Sequence, residues 1–227
     1  MKRLGIIQPG RIGDIIICLP IAKWYADKGY EVIWPIENGY VANFAGYIDY
    51  VTFVGINSID CNEARSVVIP RCNTVIDLSI TFPNSHPAND AFFFDNRSKM
   101  HFDEIKYLFA NVPFEEKWNL HVARNKTEEQ KLEDKIPNLS DPFTLVHTRG
   151  SSESFVYHPE DGENVVYVSE LAPSLFAWLG VIEKADKVVA IDSSFANLVE
   201  QSGFKGPKFL VRRAADVRPV YKDWVIL

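Results

Sequence analysis

The feature that most constrains the fold is the order of apolar runs in the first 36 residues. Residues 4–7 form a short apolar run that ends at a Gln-Pro-Gly turn, and residues 31–36 form a second run. Between them, residues 14–28 place apolar side chains at helical spacing, and Gly29 follows. Short apolar runs bounded by turn residues predict buried strands, and a helical crossover joins parallel strands. The sequence therefore predicts a βαβ unit and a parallel sheet.

The same alternation continues along the chain and restarts after residue 142. Further strands are predicted at 50–54, 66–69 and 75–78, a long loop at 82–98, and a helix at 101–110. The second half predicts strands at 143–147, 164–168, 188–191 and 208–211, with helices at 174–185 and 194–202. Residues 125–142 are charged and then rich in turn residues, which is typical of a connection between domains. We expect two α/β lobes, 1–124 and 143–227, joined by 125–142.

Composition argues against several classes of protein. The net charge of −6 is unlike the basic excess of general nucleic-acid binders. Three cysteines without C-x-x-C spacing make no disulfide framework, so we expect a reducing, cytoplasmic location. The histidines and cysteines show no metal-ligand spacing, and no apolar run is long enough to cross a membrane. We therefore expect neither a metal site nor a transmembrane segment.

The loop at residues 8–14 is the first candidate site, because it joins the first strand to the first helix. Ligands of open α/β sheets bind at the carboxyl ends of the strands, where such loops lie. Gly13 allows close approach of a ligand to the backbone, and the helix N-terminus stabilises negative charge on Asp14. An ionised carboxylate there can accept a proton from an attacking hydroxyl. The alternative is that Asp14 only caps the helix.

Two further strand ends predict an anion site in the second lobe. Asp192, Ser193 and Ser194 lie between a β-branched strand and a helix, where free backbone N–H groups and hydroxyls can bind a diphosphate. The alternative is an ordinary Asp/Ser helix cap. Residues 147–152 also follow a strand. There the guanidinium of Arg149 offers a forked hydrogen-bond donor for phosphate, and Thr148, Ser151 and Ser152 are its neighbours. The alternative for this segment is a polar surface loop.

These motifs resemble a known family. Residues 10–20, G-R-I-G-D-I-I-I-C-L-P, look like the N-terminal signature of the heptosyltransferase family of glycosyltransferases. Residues 185–203, A-D-K-V-V-A-I-D-S-S-F-A-N-L-V-E-Q-S-G, are similar to the second signature of that family. The segment 147–149 also resembles the phosphate-contacting loop that opens the C-terminal lobe. The chain is shorter than typical members, and Ser194 stands in place of the usual glycine.

The resemblance implies a fold, a reaction and a set of site residues. The implied fold has two Rossmann-like lobes with parallel sheets facing a central cleft, the GT-B type. The implied reaction is an inverting, metal-independent transfer from a nucleotide-diphosphate sugar, which serves as co-substrate with no other cofactor. Asp14 matches the general base. The position of Glu170 implies that it accepts a hydrogen bond from the ribose of the donor nucleotide. The residues implied at the donor are Gly13, Thr148, Arg149, Ser151, Ser152, Asp192, Ser193 and Ser194.

The identity of the acceptor stays open at this point. One acceptor is a saccharide or glycolipid, as is usual in the family. The other is a hydroxymethylated base in phage DNA, because residues 205–222 contain six basic side chains and one acidic side chain. A solvated strand-and-loop face explains the same basic run. Arg11, Arg212 and Arg213 are the candidate acceptor-binding residues.

Two other classes of function fit parts of the pattern. A non-catalytic nucleotide-binding relative would bind a nucleotide sugar without hydrolysing it in the absence of an acceptor. A nucleotide-dependent oxidoreductase fits less well, because Gly10 and Gly13 lack the third glycine of the dinucleotide fingerprint.

Overall fold

A computed structural model describes residues 2–169, 171–172, 174–213 and 219–227 of the chain. Within that range the protein divides into two compact units. The first unit comprises residues 2–123 together with Pro219 and Val220, and the second comprises residues 124–213 and 221–227. The helix at 126–133, inside the predicted connection 125–142, belongs to the second unit.

The first unit is built on a four-stranded parallel sheet with the strand order β3-β2-β1-β4. Its strands are β1 (Lys2–Ile7), β2 (Tyr30–Glu37), β3 (Val51–Ile56) and β4 (Thr74–Asp77). Its helices are α1 (Ile12–Asp27), α2 (Asn38–Phe44), α3 (Cys61–Val68), α4 (Pro87–Asn96), α5 (Phe102–Phe109) and a 3₁₀ helix (Phe114–Trp118). The predicted βαβ unit at the N-terminus is therefore present.

The β1–α1–β2 unit forms the centre of the core of the first unit. Leu4 and Ile6 of β1 are completely buried, and so is the run of apolar side chains from Ile15 to Ala22 in α1. A helix that is apolar on most of its circumference packs in the interior rather than on the surface. Gly29 follows α1 with a φ of +80°, a left-handed conformation that glycine adopts without steric cost.

The second unit contains a five-stranded parallel sheet with the order β6-β5-β7-β8-β9. Its strands are β5 (Thr144–His147), β6 (Val165–Tyr167), β7 (Lys187–Ile191), β8 (Lys208–Val211) and β9 (Trp224–Ile226). Its helices are α6 (Lys126–Glu133), α7 (Leu179–Lys184), α8 (Ser194–Gln201) and a 3₁₀ helix (Leu175–Trp178). The strand β9 was not predicted from the sequence.

Two other segments differ from the sequence prediction. Residues 66–69 were predicted as a strand, but 66–68 form the end of α3 and Ile69 is its C-cap; the buried side chains Cys61, Ala64 and Val68 recur at helical spacing. The predicted loop at 82–98 contains α4, which begins at Pro87, a residue whose fixed φ suits the first turn of a helix. The ring nitrogen Nδ1 of His86 accepts a hydrogen bond from the backbone N–H of Ala88 and caps this helix.

Helix α6 packs against α7 through charged contacts around a glycine. Arg124 forms ion pairs with Glu129 of α6 and Glu183 of α7. A Cβ at Gly180 would lie 2.7 Å from a carboxylate oxygen of Glu133, so the two helices approach closely at that point. None of the described helices combines the length and the apolar character needed to cross a lipid bilayer.

Candidate functional site

The loop between β1 and α1 is held in place by buried polar contacts. The side chain of Gln8 is completely buried, and its amide donates to the carbonyl oxygen of Gly10. The indole N–H of Trp34 donates to the carbonyl oxygen of Gln8 over 2.9 Å. A Cβ at Gly10 would lie 2.6 Å from a methyl carbon of Ile59, which leaves room for glycine alone. The start of α1 is therefore fixed relative to the carboxyl end of β1.

Gly13 and Asp14 are the second and third residues of α1. The cap position belongs to Arg11, which has an extended backbone with φ −88° and ψ 172°. Asp14 thus lies inside the first turn, and its side chain is 24% exposed. A carboxylate in this position can reach a ligand while it remains anchored to the fold.

The cation next to Asp14 is Lys106 of α5. The side chain of Lys106 is 1% exposed, and its Nζ lies 3.5 Å from Oδ1 of Asp14. The same ammonium donates to the carbonyl oxygen of Leu78 over 2.9 Å and to Oε1 of Gln8. Three oxygen atoms therefore hold one buried positive charge beside the candidate base.

Sequence reasoning missed Lys106, although a signal for it exists. Lys106 lies four residues after Phe102 and three before Phe109, so it lies on the same side of α5 as these two phenylalanines. Lysine is almost never completely buried unless it is paired. A lysine on an apolar face therefore indicates a buried partner, which here includes Asp14.

The start of α8 has the features expected of an anion site in the second unit. Ser193 caps the helix, and its Oγ accepts a hydrogen bond from the backbone N–H of Ala196 over 3.3 Å. Ser194 is the first residue of the helix. Asp192 is 4% exposed and does not cap the helix, because its Oδ1 accepts a hydrogen bond from the hydroxyl of Tyr221 over 2.8 Å. Capping therefore explains Ser193 but not Asp192.

His147 joins this site from the neighbouring strand. β5 and β7 pair in parallel, and Nδ1 of His147 lies 3.1 Å from Oγ of Ser193. Burial lowers the pKa of His147 to about 4, so the imidazole is neutral at pH 7. Where the hydroxyl of Ser193 donates its proton to Nδ1, the imidazole proton lies on Nε2. A neutral imidazole with an Nε2–H group is a hydrogen-bond donor for an anion.

Residues 148–155 form a tight turn after β5. Arg149 pairs with Ser154 in an isolated antiparallel bridge. The backbone N–H of Gly150 donates to the carbonyl oxygen of Glu153 over 2.8 Å, and that of Phe155 donates to Thr148 over 3.1 Å. The turn leaves the side chain of Arg149 exposed to solvent. An exposed guanidinium at this edge of the sheet is available to bind a phosphate group.

Arg213 connects the turn after β5 to the end of β7. Its NH1 lies 3.4 Å from Oγ of Ser151, and its NH2 lies 3.6 Å from Oδ2 of Asp192. The aliphatic part of the side chain passes Gly150, where a Cβ would lie 3.5 Å from Cδ of Arg213. Arg213, considered above as an acceptor residue, thus contacts two residues that were predicted at the donor.

The other predicted residues have different surroundings. Ser152 and Arg212 are exposed, and Glu170 lies outside the described residues. In the basic run, the buried Lys208 pairs with Glu200 over 3.2 Å, so its charge is compensated internally. Among the described residues of the run, Lys208 therefore does not contribute a free charge to a basic face.

Comparison with solved structures shows which known fold this chain resembles. The chain is similar to a glycosyl transferase family 9 protein from Veillonella parvula, with a TM-score of 0.64 and 13% identity, over 100% of this chain and 86% of that one. It is also similar to Escherichia coli ADP-heptose lps heptosyltransferase II, with a TM-score of 0.56 and 12% identity, over 100% and 90% of the chains. A third similar structure is E. coli heptosyltransferase WaaC with ADP-2-deoxy-2-fluoro heptose, with a TM-score of 0.55 and 13% identity, over 99% and 92%. The predicted fold class, two Rossmann-like units of the GT-B glycosyltransferase type, is confirmed.

Comparisons of sequence add no relative. A scan against protein-family models and a search of curated proteins give no match. Among residues 2–169, 171–172, 174–213 and 219–227, no group of three or more His, Cys, Asp or Glu side chains is arranged to hold a metal ion.

Proposed function

We propose that this protein is a glycosyltransferase that moves a sugar from a nucleotide-diphosphate sugar to an acceptor hydroxyl, with inversion and without a metal ion. The observation behind this proposal is the similarity of the entire chain to a glycosyl transferase family 9 structure at a TM-score of 0.64. Two of the similar structures contain ADP or an ADP-sugar, which supports a nucleotide sugar as donor. Fold alone does not specify an activity, so the residues at the strand ends must supply the chemistry.

In the proposed reaction, the donor diphosphate binds at the second unit. The backbone N–H groups at the start of α8, the Nε2–H of His147 and the guanidinium of Arg149 are the donors available to it. When the bond between the anomeric carbon and the phosphate oxygen breaks, the electron pair leaves with the diphosphate. Positioned N–H groups stabilise this developing charge, an effect that commonly contributes several kcal/mol, about 3–4 for one donor.

Asp14 is the proposed general base. The acceptor oxygen forms the new bond to the anomeric carbon from the face opposite the leaving diphosphate, and its proton passes to the carboxylate of Asp14. The carboxylate is exposed enough to meet a substrate, and the buried ammonium of Lys106 lies beside it. The backbone of the preceding loop is fixed by Gln8, which favours one position for the base.

Of the two acceptor classes, the contacts of the basic residues favour a saccharide or glycolipid over DNA. Lys208 is buried and pairs with Glu200, so this basic side chain of 205–222 is directed at an acid of its own unit. Tight binding to a phosphate backbone depends on several cations that are free to contact it. DNA binding that weakens steeply with added salt and is lost on replacing Arg212 would instead favour the DNA acceptor.

The test of the proposed base is the variant Asp14→Asn. The amide cannot accept the acceptor proton, so we expect turnover to fall by about 10²–10⁴-fold, the range of general base catalysis. Nucleotide affinity should stay within about twofold, because the proposed donor contacts lie in other residues. The measurements are kcat with a nucleotide-sugar donor and calorimetric binding of the nucleoside diphosphate.

The matched control is Asp27→Asn, which changes an exposed carboxylate of the same helix. Turnover of this variant should equal that of the wild type. Asp14 is not the base if Asp14→Asn retains full turnover, or if it loses affinity and turnover equally.

A further inference from the structure

The side chain of Arg213 has more hydrogen-bond donors than its surroundings use. A guanidinium has five N–H donors in a fixed plane. The side chain is 21% exposed, and the two contacts of its terminal nitrogens, to Ser151 and Asp192, are 3.4 and 3.6 Å long. Hydrogen bonds from N–H to oxygen are normally 2.7–3.2 Å long, so neither contact is a strong one. Most of the donor capacity of this mostly buried cation is therefore unused by these two residues.

The Nε atom shows the same deficit at an interior position. It is buried and has no hydrogen-bond partner within the described part of the chain. A buried donor without a partner destabilises the protein, and more so when it belongs to a charged group. Such a cost is removed when a ligand that accepts hydrogen bonds binds beside the group.

The neighbours of Arg213 hold the guanidinium rather than neutralise it fully. Oδ1 of Asp192 is already occupied by the hydroxyl of Tyr221, so only Oδ2 faces Arg213. Burial, followed by the charge of Asp192 and the hydrogen bond to it, raises the pKa of Tyr221 well above its usual value, so the phenol stays protonated and acts as the donor. The Tyr221–Asp192 pair therefore fixes the side of the guanidinium that faces the protein.

The ligand that fits this arrangement is a dianionic group with several acceptor oxygens. Arg213 contacts Ser151 of the turn after β5 and Asp192 directly before the start of α8, so it lies among the residues proposed for the donor diphosphate. Arginine binds phosphate through two parallel N–H···O bonds, which are about twice as strong as bonds between neutral groups. Neither a saccharide hydroxyl nor a nucleobase presents comparable charge.

We propose that Arg213 binds the diphosphate of the nucleotide-sugar donor, and that Tyr221 acts through Asp192 as a positioning residue for it. This inference rests on the proposed function, because it assigns a residue to the same donor site. It also moves Arg213 from the acceptor, where the sequence prediction placed it, to the donor.

The test compares binding of ADP, GDP, UDP and CDP with binding of the corresponding monophosphates by calorimetry. For the diphosphate that binds the wild type most tightly, Arg213→Ala should weaken binding by about 10–100-fold, the loss expected for charge-assisted hydrogen bonds. Binding of the monophosphate should change less, because the second phosphate supplies most of the contact. Arg213→Lys keeps the charge but loses the fork, so we expect an intermediate loss.

Two further variants separate a specific contact from charge and folding effects. Lys205→Ala removes one positive charge at an exposed position before β8 and should leave diphosphate affinity unchanged. Tyr221→Phe keeps the ring but removes the hydrogen bond to Asp192, and should weaken diphosphate binding several-fold without abolishing it. If Arg213→Ala does not fold, the diphosphate affinities of Arg213→Lys and Tyr221→Phe test the proposal in its place.

The outcomes distinguish this inference from the proposed function. If the wild type binds a nucleoside diphosphate and Arg213→Ala and Arg213→Lys bind it equally well, the role of Arg213 is overturned and the proposed function stands. The role of Arg213 is also overturned if Lys205→Ala loses as much diphosphate affinity as Arg213→Ala. The same holds if Arg213→Ala loses equal affinity for the monophosphate and the diphosphate. If the wild type binds no nucleoside diphosphate, the proposed function itself fails, and this inference fails with it.

Discussion

At the residue scale, the buried charge of Lys106 has more than one polar partner. Lys106 lies among Asp14, Gln8 and the carbonyl oxygen of Leu78. Burying an isolated charge is costly, and the cost is offset only when several hydrogen bonds compensate the charge. Asp14 is the exposed end of such a cluster, which explains how a reactive carboxylate can keep one position.

Glu163 is a half-buried acid whose contribution to stability is easy to measure. Burial acts to raise its pKa, but Lys187, Thr144, the backbone N–H of Glu160 and Tyr157 outweigh burial and lower the pKa to about 2. The pKa is lower in the folded state, so the stabilisation is complete above pH 4.5 and is lost as the pH falls towards 2.

The variant Glu163→Gln tests this assignment. We expect the free energy of unfolding at pH 7 to fall by about 1–2 kcal/mol, after allowance for solvent screening of the ion pair. Between pH 4.5 and 2, the variant should lose stability less steeply than the wild type. Urea unfolding at a series of pH values measures both effects, with Asp161→Asn as the exposed control. Parallel pH dependences of wild type and Glu163→Gln would contradict the assignment.

Single residues also show where sequence reasoning stops. The motifs around Asp14 and Ser193 could be recognised because glycine, acid and hydroxyl residues lie next to each other after a strand. Arg213 and Tyr221 could not be assigned in that way. Arg213 lies 21 residues after Asp192, and only the pairing of β7 with β8 brings the two together.

At the element scale, the polar side chains of the candidate site in the second unit follow the carboxyl ends of parallel strands. His147 ends β5, and Asp192 follows β7, its direct neighbour in the sheet. The order β6-β5-β7-β8-β9 places these two strand ends side by side near the centre of the sheet. Ligand sites of open α/β sheets form at this kind of position.

Element type was predicted well where apolar runs were long, and poorly where they were short. Residues 66–69 contain three β-branched residues, yet 66–68 belong to α3, because the helical spacing of its buried residues begins earlier, at Cys61. β9 has only three residues, and it is held by contacts distant in sequence, such as the indole N–H of Trp224 donating to Glu200 over 2.7 Å. The local pattern of residues gives no information about such contacts, because they join residues that are distant in the sequence.

A buried ion pair ties α5 to the 3₁₀ helix and to the C-terminal segment of the first unit. Asp103 and Lys117 are both completely buried and lie 2.6 Å apart. Both also bind the backbone of Val220, whose N–H donates to Oδ2 of Asp103 over 2.9 Å. The pair therefore holds residue 220 against residues 103–117 of its own unit.

The variant Asp103→Asn should lower the free energy of unfolding by about 3–5 kcal/mol, because it leaves a buried lysine without its counter-charge. Denaturant unfolding measures the loss. Asp27→Asn breaks an exposed ion pair on α1 and should cost less than about 1 kcal/mol. Equal, small losses in the two variants would show that the buried pair contributes little to stability.

At the scale of the whole molecule, two parallel-sheet units supply different parts of the proposed chemistry. The first unit contributes a carboxylate beside a buried lysine, and the second contributes hydroxyls, helix N–H groups and arginines suited to a diphosphate. The alternation of strands and helices was enough to predict the α/β fold class from the sequence. The donor sugar and the acceptor were not predictable, because they depend on pocket shape rather than on the strand-end motifs.

The most direct test of the central claim is incubation of the purified protein with a panel of nucleotide-diphosphate sugars, followed by thermal shift and by assay of the released nucleoside diphosphate. We predict that at least one donor raises the Tm by several degrees, since a ligand at 100 times its Kd stabilises by about 2.7 kcal/mol. The same donor should release its nucleoside diphosphate in the wild type, and much more slowly in Asp14→Asn. Binding without release would indicate a non-catalytic nucleotide-binding protein. A panel that causes neither a shift nor release would contradict the assignment as a glycosyltransferase.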